Sequence, residues 1–390
     1  MQFRDVAATV FAVAALGASN VDFSVQAAYV DEIVAPVSTF AGLGLHGHAD
    51  GRVAQFNLPQ GLAAFSDGLL VADTYNNMIR FVNWSSVTST VTGEITGLDE
   101  YRFPRGFLRD GAIDGALFNR PTALAVNEAG VIFVADSANH VIRAITGGGV
   151  YTFSGSAQAG YLNGTATQAM FNSPHDIAID SEGNLYIADS GNHVIRKIDI
   201  FGNVSTIAGR ARTPGHNNGA AGEALFNSPM GIAVSQDGRI FVSDTGNHLI
   251  RVIEDGQVMD YAGTLVFAND IEFAVTYDVN EWDNIPLGGF SDGENAMFNL
   301  PRGLCLFGDT VIVADSANHR IRGIMSDGYV FTLAGSDYPG HNDGNSQDVS
   351  FHLPMGVHIV GNELFVADTN NNVIRKISMP ESLRHGIEKE

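Results

Sequence analysis

FNSPHDIAIDSEGNLYIADSGNHVIRKI, residues 171–198, is the stretch on which the fold turns. It opens on Phe171-Asn172-Ser173-Pro174. Asp176 to Asp180 reads as a first strand and Ser181-Glu182-Gly183-Asn184 as a tight turn. Leu185 to Ala188 is a second strand, Asp189 to His193 a second turn, and Val194 to Ile198 a third strand. Just beyond, Gly202 to Gly209 carries a fourth. Short β-branched runs fit a pleated surface, and Gly, Asn and Asp supply the turn conformations between them.

The same unit recurs in both directions along the chain. Its openings are Phe56, Phe118, Phe171, Phe226, Phe298 and Phe351, each with a proline three residues on. Its closing aspartates are Asp73, Asp136, Asp189, Asp244, Asp315 and Asp368. Each is followed seven residues later by an arginine: Arg80, Arg143, Arg196, Arg251, Arg322 and Arg375. Six in-register units of four strands predict an all-β chain, a six-bladed β-propeller of four-stranded antiparallel blades. The fourth-strand ending recurs at Val150–Gly155, Val204–Gly209, Val258–Gly263 and Val330–Gly335. The sixth unit stops after three strands, and the missing copy stands at the start, Val37-Ser38-Thr39-Phe40-Ala41-Gly42. The N-terminal strand is therefore expected to complete the last blade, which removes an open sheet edge. Residues 34–378 form one domain, although 390 residues alone suggest two or three.

Asp+Glu number 43 against 21 Lys+Arg, a net charge of −22. Nucleic acids and anionic membranes need basic patches, so neither is expected as a partner. The one cysteine, Cys305, excludes an internal disulfide and reads as a small buried hydrophobe. At the N-terminus, Arg4 precedes an uncharged run from Val6 to Ala18, followed by Val25-Gln26-Ala27. The run is too short to span a bilayer, and residues 1–27 read as a signal peptide. The chain is expected to be secreted or at the cell surface. Residues 379–390 are expected to be a short polar tail.

Pro229-Met230-Gly231-Ile232-Ala233-Val234 and the stretch Phe241 to Arg251, FVSDTGNHLIR, resemble the NHL repeat family. The resemblance covers roughly residues 34–378 and implies the six-bladed fold. It says little of function, because that family includes extracellular sensors, protein- and RNA-binding modules and a zinc-dependent lyase. Pro174-His175 is similar to the lyase's zinc-ligand motif, which needs three such histidines. The other blades supply Gln60, Thr122, Met230, Arg302 and Met355 at that position. Three nitrogens are the catalytic minimum for zinc, so that activity is not expected.

Alternating strands bring the fourth-to-first and second-to-third connections out on one face. Binding lives on loops held by a rigid scaffold, so this long-loop face is expected to be functional. The repeated Asn-His pairs, Asn139-His140, Asn192-His193, Asn247-His248 and Asn318-His319, occupy a turn in their blades and read as structural. The Asp-to-Arg pairs read as ladder-end hydrogen bonds or salt bridges. Asp50-Gly51, Asp114-Gly115, Asn163-Gly164, Asn218-Gly219, Asp292-Gly293 and Asp343-Gly344 read as turn formers. No cofactor is called for, with calcium at these loops the one left open.

Function is sought where the blades differ. Gln60, Thr122, His175, Asp176 and Arg302 are candidate ligand contacts at the channel mouth. For His175 with Asp176, a ligand-orienting pair and a satisfied channel histidine both stand. The second departure is length. Openings lie 53 to 55 residues apart except after Phe56, where the gap is 62, and after Phe226, where it is 72. From Val252 to Pro301 there are ten acidic residues and no Lys or Arg. Asp270, Glu272, Tyr277, Glu281, Trp282 and Asp283 there are candidate contacts for a sugar, basic peptide or cation. A smaller insertion, Trp84 to Asp110, is the weaker candidate. The expectation is an exported, monomeric, non-catalytic scaffold binding a protein, peptide or glycan. The alternative is a metal-dependent hydrolase or lyase acting at the channel mouth.

Overall fold

In the computed structural model, residues 34–267, 285–380 and 383 are described. They form six antiparallel sheets of four strands, three of them extended by a two-residue strand at the outer edge. The inner strands of the first five blades are Leu62–Phe65, Pro121–Val126, Pro174–Ile179, Gly231–Val234 and Pro301–Phe307. The sixth blade runs Pro354–Val360, Glu363–Asp368 and Val373–Ser378, and its outer strand is Pro36–Ala41. Val37 pairs with Ile377, Ser38 with Lys376 and Thr39 with Arg375. The N-terminal strand thus closes the ring.

Blade faces carry the core. Clusters such as Ile177, Ile187, Leu185 and Ile198 of the third blade with Ala123, Phe133 and Ala144 of the second span two adjacent sheets. Burying both faces of every sheet explains why the strands are nearly continuous apolar runs. Of the expected polar tail, Met379 and Leu383 are instead buried. The proposed signal peptide lies outside the described residues.

Each repeated Asp–Arg pair is fully buried and acts as a staple. In the third blade, Asp189 Oδ1 accepts the Asn172 N–H at 2.8 Å, fixing the Phe-Asn-x-Pro loop to the second turn. Asp189 Oδ2 accepts from Asn192 Nδ2 at 2.8 Å and Arg196 Nη1 at 2.9 Å. Arg196 then reaches outward to Asn163 Oδ1 at 2.8 Å and lies 5.0 Å over the Phe171 ring. These contacts make a salt bridge, as the spacing predicts.

The outward partner corrects one sequence reading. In the second blade Arg143 Nη2 donates to Asp110 at 2.7 Å, so Asp110-Gly111, not Asp114-Gly115, occupies the repeated position. Gly111 bridges Val150 just as Gly51 bridges Thr88 and Gly293 bridges Val330. The register decides this: Asp110 stands eight residues before Phe118, as Asn163 does before Phe171. These Asx-Gly pairs also do more than turn the chain, because their side chains hold the arginine's far nitrogen.

The turn residue after each Asn sits in the left-handed region, with φ from 55° at Asn372 to 59° at His193. Its side chain accepts a backbone N–H from the next blade. His140 Nδ1 takes Ser173, His193 Nδ1 takes Ser228, His248 Nδ1 takes Leu300 and His319 Nδ1 takes Leu353, at 2.9 to 3.2 Å. Asn77 takes Arg120, and Asn372 takes Leu58 across the closure. The Asn-His pairs are therefore inter-blade clasps. Burial lowers the pKa of all four imidazoles, which keeps Nδ1 free to accept.

Around the axis the inner strands crowd together. A Cβ on Gly61 would meet the Thr122 carbonyl oxygen at 2.5 Å, and one on Gly356 would press on the Gln60 carbonyl oxygen. Gly356→Ala is expected to cost about 1–3 kcal/mol, the range for overpacking against fixed backbone. Gly97→Ala, where nothing lies within 4 Å, is the control. Equal urea midpoints for the two variants would show that the axis yields.

Candidate functional site

The Phe-Asn-x-Pro loops and the second turns emerge together, because each blade's aspartate joins them. A cavity of about 390 Å³ runs along the axis, lined by the inner strands from the residues after their prolines to Ala64, Val126, Ile179 and Val234. The residue after each proline rings its mouth: Gln60, Thr122, His175, Met230, Arg302 and Met355. The structure brings Gln60, Thr122, His175, Asp176 and Arg302 into this one cavity.

The mouth position is the same in every blade, but its chemistry is not. His175 Nδ1–H donates to the Met230 carbonyl at 2.9 Å, which leaves Nε2 as an acceptor. Burial first, and Arg302 second, push its pKa down to about 3, so the ring is neutral. Thr122 Oγ1 donates to the His175 carbonyl at 2.7 Å. Gln60 Oε1 is buried without a hydrogen-bond donor among the described residues. Arg302 is partly buried, and desolvation lowers its pKa. A guanidinium nevertheless stays protonated in proteins.

Asp176 stands where four blades have glycine and one has Ala123. Its Oδ1 accepts the Ile177 N–H at 2.8 Å and its Oδ2 the Ile232 N–H at 2.9 Å. It thus bridges the inner strands of blades three and four. Burial pushes its pKa up to about 7, against the pull of those two N–H groups. Asp176 is therefore a strand bridge beside His175.

Sequence reasoning passed over His358. It lines the same cavity, and its Nε2 accepts the Ala64 N–H at 3.0 Å. Burial takes its pKa down to about 4. Its position inside the strand, rather than after the proline, hid it. Cys305 also lines the cavity wall, with burial pushing its thiol pKa up and so favouring the thiol over the thiolate. Among the described residues no group of three or more His, Cys, Asp or Glu is placed to hold a metal ion.

The long-loop candidates Asp270, Glu272, Tyr277, Glu281, Trp282 and Asp283 lie outside the described residues. The flanks of their insertion run antiparallel, with the Leu287 N–H donating to the Val266 carbonyl at 2.8 Å. The smaller insertion carries an exposed apolar group on the same face, with Tyr101 at 74%, Leu98 at 52% and Phe107 at 46% exposure. Beside it, Phe103 packs edge-on to Tyr75 and Arg120 lies 4.9 Å over the Tyr75 ring.

A family model described as NHL repeat matches residues 118–145, 171–198, 226–253 and 298–324, one match in each of blades two to five. The chain is 30% identical over 285 residues to Protein SUPPRESSOR OF QUENCHING 1, chloroplastic, of Arabidopsis thaliana. That match covers 70% of this chain and 26% of the plant protein. It is 26% identical over 307 residues to NHL repeat-containing protein 2 of Homo sapiens, covering 71% of this chain and 40% of that protein. The chain thus spans less than half the length of either curated relative. Among solved structures, an auxiliary nutrient binding protein from Bacteroides ovatus superposes with a TM-score of 0.62 at 15% identity. It covers 89% of this chain and 77% of that one. At that identity the likeness speaks for the fold alone.

Proposed function

Given that the chain is a six-bladed β-propeller protein of the NHL repeat family, we propose that it is an exported, non-catalytic binding protein. It takes a protein, peptide or glycan ligand on its long-loop face, at the channel mouth. One observation carries this. Clasp, staple and proline repeat round the ring, whereas the six residues at the mouth present six positions of mixed chemistry above a cavity of about 390 Å³. That volume falls in the range of about 300–1,000 Å³ typical of ligand sites. A scaffold that repeats its structural residues and varies those at one rim has placed its specificity there. The exposed group around Tyr101 extends the same face, as a contiguous apolar patch at an interaction site does.

Export is supported by the sequence of residues 1–27. Among the described residues no helix is long and apolar enough to cross a membrane.

Screening the full chain on glycan and peptide arrays tests the reading. A bound ligand is expected to lose at least about tenfold in affinity, ~1.4 kcal/mol, in the Gln60→Ala/Met355→Ala variant. Phe201→Ser, on an exposed turn of the opposite face, is expected to leave it unchanged. Binding indifferent to the mouth variant, or none to either array, refutes the proposal.

A further inference from the structure

We propose that Arg302 makes the channel mouth a carboxylate site, in which a ligand's acid group pairs with the guanidinium and its body occupies the cavity. The inference rests on the reading of the mouth as the binding site and names the chemistry that site takes.

The argument starts from the arginines. Each of the six repeat arginines has a buried aspartate partner at 2.7 to 2.9 Å. Arg320 pairs with Asp337. Other described arginines without an ion pair, such as Arg102 and Arg212, are exposed, whereas Arg302 is partly buried in the cavity and its guanidinium has no hydrogen bond and no ion pair among the described residues. Among the described residues it is also the only Lys or Arg lining the cavity. Partial desolvation without a counter-charge disfavours this cation.

The cavity's own carboxylate does not fill this role. Both oxygens of Asp176 are occupied by the Ile177 and Ile232 N–H groups, and no arginine contributes to its pKa shift. Two polar atoms at the mouth are acceptors without a donor among the described residues. Gln60 Oε1 lacks one, and His175 Nε2 is left free once Nδ1–H is spent on Met230. One cation plus vacant acceptors fits a molecule carrying a carboxylate and nearby O–H or N–H groups. An Arg–carboxylate pair is bidentate and charge-assisted, which gives orientation as well as strength. Two sources present this chemistry, a sugar acid and the C-terminus of a short peptide.

Thermal unfolding of the full chain at pH 7 separates them. The probes are glucuronate and N-acetylglycylglycine at about 10 mM, with glucose and N-acetylglycinamide as neutral counterparts. At least one acid is expected to raise Tm by about 2 °C or more, and its neutral counterpart not to. A shift with glucuronate alone identifies the sugar acid, and with the dipeptide alone the peptide terminus. Arg302→Gln is expected to abolish the shift and to leave the ligand-free Tm unchanged or higher, since it removes a partly desolvated cation that has no partner among the described residues. Arg302→Lys, which keeps charge without the fork, is expected to retain part of it. The inference is overturned if neither acid shifts Tm, if Arg302→Gln keeps the shift, or if Arg302→Gln alone lowers Tm or fails to fold. A shift with a neutral probe but neither acid leaves the mouth as a binding site and rejects only the carboxylate.

Discussion

Asp189→Ala is expected to cost about 3–5 kcal/mol of stability, measured by urea unfolding at pH 8, where the carboxylate is ionised. Burial raises the Asp189 pKa to about 6, despite the donors from Asn192, Asn172 and Arg196. The substitution strips three groups of their partner at once. Arg196 stays buried and loses its carboxylate at 2.9 Å, while Asn192 Nδ2 and the Asn172 N–H lose their acceptor. Breaking one half of a buried pair leaves an uncompensated charge, which costs more than never having had the pair. The double variant Asp189→Ala/Arg196→Met is therefore expected to recover at least about 1 kcal/mol of the loss. A cost below about 1 kcal/mol for the single variant would show that the staple is ornamental. So would a double variant as unstable as the single one.

Removal of residues 34–42 is expected to have an effect of similar size by a different route. The segment supplies the outer strand of the sixth blade and buries Ala35, Val37 and Ala41 to 0%, 4% and 6% exposure. Burying a valine is worth roughly 1.5–3 kcal/mol, and ladder hydrogen bonds about 1 kcal/mol each. The Ala35 N–H to Ser346 Oγ and Thr39 N–H to Asp343 contacts go as well. A loss on the order of 5 kcal/mol follows, comparable with the whole stability of many domains. The strand Val373–Ser378 becomes a bare edge, so association is expected in sedimentation velocity. Val37→Asp, at a buried ladder position, should reproduce much of the loss. Ser38→Asp, on the exposed side of the same strand, should stay within about 0.5 kcal/mol. A truncated chain that remains monomeric and stable would mean that the ring closes by packing alone.

The two variants probe features that differ in how plainly the sequence carries them. The staple was legible as an Asp-to-Arg spacing of seven, and the closure as a fourth-strand ending displaced to Val37–Gly42. Both are periodic, and periodicity survives without coordinates. The mouth was legible as a position, the residue after each proline. What stands there could be read, but not whether it is satisfied. Asp110 and Asp114 both precede a glycine, and only the bridge from Gly111 to Val150 tells which one meets Arg143. His358 lay outside the repeated pattern and gave no signal.

By itself the sequence determined the ring: six blades, antiparallel strands, and an N-terminal strand that fastens the last blade. It could do so because each blade's hydrogen bonding is largely local, within the spacing of one repeat. The tertiary structure decided everything that passes between blades. It set the histidine side chains as clasps on the next blade's backbone, Asp176 as a bridge to Ile232, and Arg302 as a cation without a partner among the described residues. Those outcomes depend on which side chains converge on the axis from units 50 to 300 residues apart. Only closure of the ring brings them together.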